Sequence, residues 1–286
     1  MGDYGDLDRA DIAPLIPRSD DYAWRAYESD PLRMPYIHEA IQELELPRGG
    51  RGLDAGCGLG LQALMMAEEV GPDGHVTGLD ISPRFLEYAR TIADKAGFAE
   101  RVDFVEGDIY DLPFEDETFD WIWSADAAGY PTREPLALVE EMARVVRPGG
   151  TVALLVWTSQ QLLPGYPLLE AGLNATAPGI APFTRDMGPG THWMRLLNWF
   201  ETAGLEDPRA KTFMGEFQAP LSNDIRTALI SLIEMRWPGV KSEIAPDDWK
   251  LYQRLCRTDS PDFILDVPGY YAFFTETLFC GRVPAQ

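Results

Sequence analysis

The feature that most constrains this chain is an alternation beginning at Gly52. Short apolar runs near 52–55, 76–80, 102–105, 119–123 and 151–157 are separated, over the longer gaps, by helical segments near 60–70, 83–96 and 133–146. Runs this short, interleaved with helices, are the pattern of βαβ units, which bury both faces of a largely parallel sheet. The punctuation agrees: Ser82-Pro83 pairs a cap with proline at the first helical position, and Gly71-Pro72 and Pro148-Gly149-Gly150 are stop signals. A chain of 286 residues suits one such α/β domain with elaborations.

The elaborations lie at both ends. Residues 1–18 carry Gly2, Gly5, Pro14 and Pro17 and read as an arm that orders only when held. Asp20 to Ser29 predicts a short helix, and Pro35 fits the first turn of a second, whose apolar face is Ile37, Ile41 and Leu44. After Val156, ten of the 27 residues from Pro164 to Gly190 are Gly or Pro, which predicts a cover without regular structure, mobile until ligand binds. Thr191 then caps a helix carrying Leu196, Leu197, Phe200 and Leu205, followed by a strand near 208–217, a helical insertion and a final strand near 270–283. The expected division is an arm with cap helices (1–48), a core (49–157), a flexible cover (158–190), a helix and strand completing the core (191–220), a helical insertion (221–265) and a final strand and tail (266–286).

Composition narrows the partners. Hydrophobic residues at 45% and charged residues at 24% describe a chain that folds by burial, and a net charge of −22 repels phosphate backbones and anionic headgroups. Nucleic acid is therefore not expected as a partner. No run is long and apolar enough to insert in a membrane, and the opening Met-Gly-Asp-Tyr-Gly-Asp has no apolar leader segment. Cys57, Cys256 and Cys280 are scattered and odd in number, so a reducing, cytoplasmic setting is expected. His38, His75 and His192 are isolated and no HExxH or CxxC occurs, so no metal is expected.

The chemistry gathers where strands end. Leu53-Asp54-Ala55-Gly56-Cys57-Gly58-Leu59-Gly60 turns the first strand into the first core helix, where glycines let backbone approach a ligand and a helix N-terminus offers free N–H groups. A dinucleotide fingerprint would need glycine where this chain has Leu61. Asp80 ends the second strand, placing a carboxylate where two ribose hydroxyls can be accepted, and Asp108-Ile109 after the third strand offers an acceptor, an N–H and an apolar wall to an adenine. Cys57, Gly60, Ile81, Ser124 and Ala125 flank these positions and are counted with the cofactor-binding set. Cys57 has no paired base and reads as packing rather than as a nucleophile.

In order and spacing this series resembles the class I S-adenosylmethionine-dependent methyltransferases over about residues 50–157, and within them the small-molecule group typified by ubiquinone and menaquinone biosynthesis methyltransferases. Asp111-Leu112-Pro113-Phe114-Glu115-Asp116 followed by Phe119-Asp120, and Glu141 through Arg147-Pro148-Gly149-Gly150, are similar to that family's approaches to the fourth and fifth strands. The resemblance implies a doubly wound, seven-stranded, mostly parallel sheet with the last strand antiparallel, covered by the N-terminal helices and the insertions. It further implies S-adenosylmethionine as cofactor and S-adenosylhomocysteine as product. Gly56 and Gly58 would face the methionine part, Asp80 the ribose, Asp108 and Ile109 the adenine, and Asp54 the loop or a water near the ammonium.

The implied activity is direct methyl transfer to a small, partly apolar acceptor. The covers at 158–190 and 221–265, and the N-terminal helices carrying Tyr22, Trp24, Tyr27 and Tyr36, depart from the family pattern and are expected to define that acceptor, with most of these aromatic residues packing helix to core and one able to close over the sulfonium. The run Ser124 to Pro131 lacks the Asn/Asp-Pro-Pro-aromatic motif of amino-methyltransferases and the Pro-Cys of cytosine methylation. Where a proton must be removed, His192 is the expected base, at a helix N-terminus that keeps the ring neutral, with Asp126 and Tyr130 as substitutes; the alternative is a histidine that only caps or packs the start of that helix beside Trp193. The competing readings are a nucleotide-cofactor oxidoreductase and a non-catalytic cofactor-binding module. The acceptor atom and the oligomeric state stay open.

Overall fold

The computed structural model describes residues 8–127 and 134–285. Three short helices lead the chain: α1 (Arg9–Ile12), α2 (Asp21–Ser29) and α3 (Met34–Glu43). The core follows as β1 (Arg51–Ala55), α4 (Leu61–Val70), β2 (His75–Asp80), α5 (Pro83–Lys95), β3 (Val102–Glu106), β4 (Phe119–Ala125), α6 (Pro135–Arg144) and β5 (Val146–Gln161). The remainder is α7 (Pro167–Asn174), α8 (Ala177–Ile180), α9 (Leu196–Thr202), β6 (Glu206–Gln218), α10 (Asn223–Arg236), α11 (Pro246–Cys256) and β7 (Tyr271–Arg282).

The seven strands form one sheet in the order β3-β2-β1-β4-β5-β7-β6. β1 runs parallel to both β2 and β4, and β7 is antiparallel to β5 and β6, as the resemblance implied. Both faces are buried. One carries Trp121, Trp123 and Phe274 beneath α3, α4, α5 and α10; the other carries Ile122, Leu154 and Phe279 beneath α6 and α9. Strand order reverses between β1 and β4, so the ligand crevice of this topology falls at the carboxyl ends of those two strands.

Local chemistry sets the helix ends. Ser82 Oγ accepts the Phe85 N–H at 3.4 Å, with Pro83 as first residue of α5. The N-terminal arm is held more firmly than its composition predicts. Asp8 forms a capping box with Asp11, Ile12 and Ile16 are buried, and Arg9 reaches the Tyr27 carbonyl at 2.9 Å.

Two expectations need correction. Pro148-Gly149-Gly150 lies inside β5 rather than before it, because the chain keeps pairing through that point: the Gly149 N–H donates to the Val283 carbonyl and the Val283 N–H to the Gly150 carbonyl, at 2.8 and 2.9 Å. The segment 158–190 is also not irregular throughout. β5 runs on to Gln161 because β7 pairs with it, and α7 follows, carrying the buried side chains Leu169, Glu170 and Leu173. Glu170, 1% exposed, accepts the N–H groups of Leu162 and Leu163 at 2.7 and 3.0 Å and so pins the turn between β5 and α7. Only the stretch from 181 to 190 is mostly exposed.

Glu170→Ala strands two inward-facing N–H groups, so it should lower stability by about 2–4 kcal/mol in denaturant unfolding. Hydrogen exchange should quicken at Leu162 and Leu163 while the amides of 181–190, already exposed, stay fast.

Candidate functional site

The loop after β1 is shaped by three left-handed glycines: Gly56, Gly58 and Gly60 have φ of 82°, 53° and 74°. A Cβ at Gly60 would lie 2.8 Å from the Phe104 ring, so both conformation and space demand glycine there. The loop is tied down at its start, where the N–H groups of Gly56 and Cys57 donate to the Leu79 carbonyl at 2.7 and 2.9 Å. It ends at α4, whose first turn has no side-chain cap, leaving its N–H groups toward the crevice. Leu61, at the dinucleotide motif's third glycine position, is instead a buried helical residue.

Two carboxylates stand beside this loop. Asp80 accepts the Gly58 N–H at 2.9 Å and the Ser82 N–H at 2.8 Å, one bond to each oxygen, and keeps lone pairs for further donors. Asp54 is 2% exposed and its Oδ2 is buried without a hydrogen-bond partner; burial, then the nearby Asp80 charge, pushes its carboxyl up to about 8. Cys57 is buried, and burial with these two acids holds its thiol well above the usual range, which leaves a packing side chain rather than a thiolate.

Beyond β2 and β3 the crevice has an apolar rim. Ile81 is 71% exposed immediately after Asp80, and Tyr22 on α2 packs against Phe85 at 5.7 Å between ring centroids. Asp108 closes a turn by accepting the Tyr110 N–H at 2.9 Å, and Ile109 packs on the core beside it. The Ser124 hydroxyl is directed into the sheet, donating to the Ala55 carbonyl at 2.6 Å, so it ties β4 to β1. Ala125 is packed at the end of β4.

The three residues expected to handle a proton are placed differently. Thr191 ends a 3-10 turn rather than capping a helix; His192 is itself the cap, its Nδ1 accepting the Met194 N–H at 3.2 Å, with Phe183 and Trp193 against the ring. Burial lowers the ring's pKa, so it stays neutral, and a base role would require Nδ1 to leave the cap. Asp126, in the left-handed region at φ 53°, is fixed from both sides: Oδ1 accepts the Trp157 N–H at 2.9 Å and Oδ2 the Arg33 guanidinium at 2.6 Å. Tyr130 lies outside the described residues. His38 and His75 face solvent beside Gln42 and Asp103, away from the glycine loop's contacts. No group of ligating side chains suited to a metal is found among the described residues.

Arg33 and Glu276 were not singled out by sequence. Arg33 precedes α3 and bridges Asp126 to Glu276 on β7, which is fully buried. Only a contact between distant parts of the chain, 243 residues apart, reveals this pair.

A methyltransferase domain family matches residues 53–150. The demethylmenaquinone methyltransferase of Staphylococcus aureus is 36% identical over 190 residues, spanning 61% of this chain and 76% of that enzyme. The chain belongs to the class I S-adenosylmethionine-dependent methyltransferases. Demethylmenaquinone methyltransferase of Listeria monocytogenes is 35% identical over 138 residues, but that match spans 47% of this chain and only 56% of the relative. Among solved structures, phosphoethanolamine N-methyltransferase 2 of Haemonchus contortus, in complex with S-adenosyl-L-methionine, shares the fold with a TM-score of 0.54 at 18% identity, over 87% of this chain and 52% of that one. No described helix is long and apolar enough to cross a membrane.

The family's cofactor suits these residues. An unpartnered buried carboxylate oxygen beneath a glycine turn is the complement of an ammonium, and a carboxylate with lone pairs at the end of β2 is the complement of a ribose diol. Because Asp54 is mostly protonated at neutral pH and an ammonium would favour its charged form, cofactor binding at pH 7 should release a proton. Calorimetry in buffers of different ionisation enthalpy reads that proton, and Asp54→Asn should remove it.

Asp80→Ala should weaken S-adenosylmethionine by about 1.5–3 kcal/mol in the same titration, through the lost ribose bonds and a loosened Gly58.

Proposed function

We propose that this protein transfers the methyl group of S-adenosylmethionine directly to a small, hydroxylated aromatic acceptor of the quinol class. The observation that carries the reading is the convergence, at one sheet edge, of the glycine turn, the unpartnered Asp54 oxygen and Asp80. The quinone relatives, with 36% identity across 76% of one of them, support the acceptor class.

When bound, the cofactor supplies a methyl carbon on a cationic sulfonium that is already a good leaving group. The chain's own task is therefore alignment and exclusion of water, which together supply up to about 7–11 kcal/mol in favourable cases. The glycine turn and Asp80 fix one reactant. The other is to lie over β4 and β5, where Asp126 turns the chain and where the partly exposed Trp157, backed by the buried Phe274 ring at 4.3 Å, offers an apolar wall to an aromatic ring. The N-terminal helices roof this edge, held there by Arg33 to Asp126 and Glu276 and by Arg84 to Asp20. A cytoplasmic setting fits an enzyme drawing on that cofactor.

Incubation with S-adenosylmethionine and a naphthohydroquinone should yield S-adenosylhomocysteine and an acceptor heavier by one methylene, read by mass spectrometry. Binding of S-adenosylmethionine without turnover of any hydroxyaromatic would instead favour the non-catalytic module, and preferential binding of NAD(H) would favour the oxidoreductase.

A further inference from the structure

The buried cluster around Glu276 does more than pin a helix. Glu276 sits on β7 directly opposite Trp157 on β5, two positions beyond the Ala125–Leu155 pair that ends β4. Directly opposed residues of an antiparallel pair share a face, so Glu276 and Phe274, both buried, lie on the same face of the sheet as Trp157, near the carboxyl end of β4. Tyr36 of α3 covers it, edge-on to Phe274 at 5.6 Å.

Every hydrogen bond to Glu276 converges on one oxygen. Oε1 accepts Arg33 Nε at 2.9 Å and the Tyr36 hydroxyl at 3.0 Å, and Arg33 Nη2 lies 2.8 Å away. Oε2 is buried with no partner at all, and so is Trp157 Nε1 on the facing residue. One orphaned polar atom in a core is unusual; an acceptor and a donor orphaned on opposed residues of two strands form a matched pair for a ligand with a polar atom on an aromatic frame. The face around them is aromatic, and no other described side chain takes up either atom.

We infer that Glu276 is a catalytic residue of this enzyme: its Oε2 accepts the hydroxyl hydrogen of a phenolic or quinol acceptor seated against the partly exposed Trp157, with Trp157 Nε1 donating to the same substrate oxygen. This deepens the reading given above and rests on it. The step is a proton transfer: the acceptor's O–H bond breaks, the proton passes to Oε2, and the electron pair stays on the acceptor, raising the nucleophilicity of its oxygen and of the ring carbons conjugated with it.

The surrounding charges suit that role. Arg33 stays ionised despite burial because Glu276 and Asp126 face it, and Tyr36, held protonated by burial and then by Glu276, remains a donor. Burial pushes Glu276 up, Arg33 pulls it down and Asp126 raises it again, leaving it at about 8, close enough to neutrality to gain and lose a proton during turnover.

The test uses naphthol as probe, with naphthalene as the control lacking a hydroxyl, on full-length protein carrying S-adenosylhomocysteine. Measured about one pH unit above the Glu276 titration, where its carboxyl is mostly ionised, Glu276→Gln keeps shape and should weaken naphthol by tenfold or more, leave naphthalene unchanged and leave S-adenosylmethionine affinity within twofold. Naphthol binding to the unaltered protein should strengthen as pH rises through about 8, and Glu276→Gln should flatten that profile. Tyr36→Phe, which removes one donor to Oε1, should move the midpoint upward with the fold intact by near-ultraviolet circular dichroism.

Equal losses for naphthol and naphthalene, or an unchanged pH profile in a folded Glu276→Gln protein, would reduce the cluster to a helix anchor and overturn the assignment. Failure of the unaltered protein to bind naphthol overturns the hydroxyaromatic subsite itself. Loss of S-adenosylmethionine binding in the unaltered protein would instead overturn the underlying functional reading.

Discussion

The position of β1 between two parallel neighbours is the constraint on which the rest of the molecule depends. The connection leaving β1 runs to β2 and the one leaving β4 runs to β5, in opposite directions, so a crevice opens between the carboxyl ends of β1 and β4. The chain must then reverse within a few residues into α4 without filling the crevice. Three left-handed glycines meet that demand, and Asp80, reaching from β2 to the Gly58 N–H, fixes the resulting curve. A cradle for an elongated ligand is thus a consequence of strand order before any ligand-specific contact is considered.

Charge at this edge is managed by protons more than by cations. The chain carries a net charge of −22, yet the described core of the site holds one bridging cation, Arg33, against Asp126 and Glu276. Burial holds Asp54 and Glu276 near about 8, so both are largely neutral at pH 7. Fixed cations in their place would repel a ligand bearing an ammonium and a sulfonium. A carboxyl that can ionise offers a complementary charge only when such a ligand arrives, and avoids the larger cost of a permanently unpaired buried charge. Asp80, only partly buried, accepts the Gly58 and Ser82 N–H groups.

Local sequence carried the glycine turn and the strand-end acids well. Glycine spacing, strand-end acids and the Ser82-Pro83 cap act over a few residues, so Gly56, Gly58, Asp80 and α5 were legible before any coordinates. The acceptor half was not. β5 extends to Gln161 because β7, more than a hundred residues later, supplies its hydrogen bonds, and Gly/Pro density at 164–190 concealed α7 because a buried Glu170 anchors its entrance. His192 was readable as a residue at a helix start, but whether its ring nitrogen or the Thr191 hydroxyl would take the cap depends on backbone geometry that the tripeptide does not specify. Glu276 sits in a run of aromatic and β-branched residues that marks a strand, and nothing in that run announces that Arg33 will meet it.

That meeting changes what the N-terminal segment is for. α1 to α3 resemble an accessory roof in sequence, yet Tyr36 and Arg33 supply every hydrogen bond that Glu276 receives, and Arg33 also fixes Asp126 at the turn after β4. The roof is in turn secured from outside the site, by Arg9 to Asp30 and the Tyr27 carbonyl, and by Arg84 on α5 to Asp20. The roof is also packed into the core through Ile12, Ala23, Ile37 and Ile41 and tied to α10 by Ser231 to Glu28, so the Arg33 pair is one of several attachments and the one that reaches the sheet's acceptor side. A segment attached in part to the buried group it covers is coupled to that group's charge: an ionised Glu276 strengthens its bonds to Arg33 and Tyr36, while a protonated one loosens them. The same proton that prepares the acceptor therefore sets how tightly the roof is seated, which ties exclusion of water to the chemistry it protects.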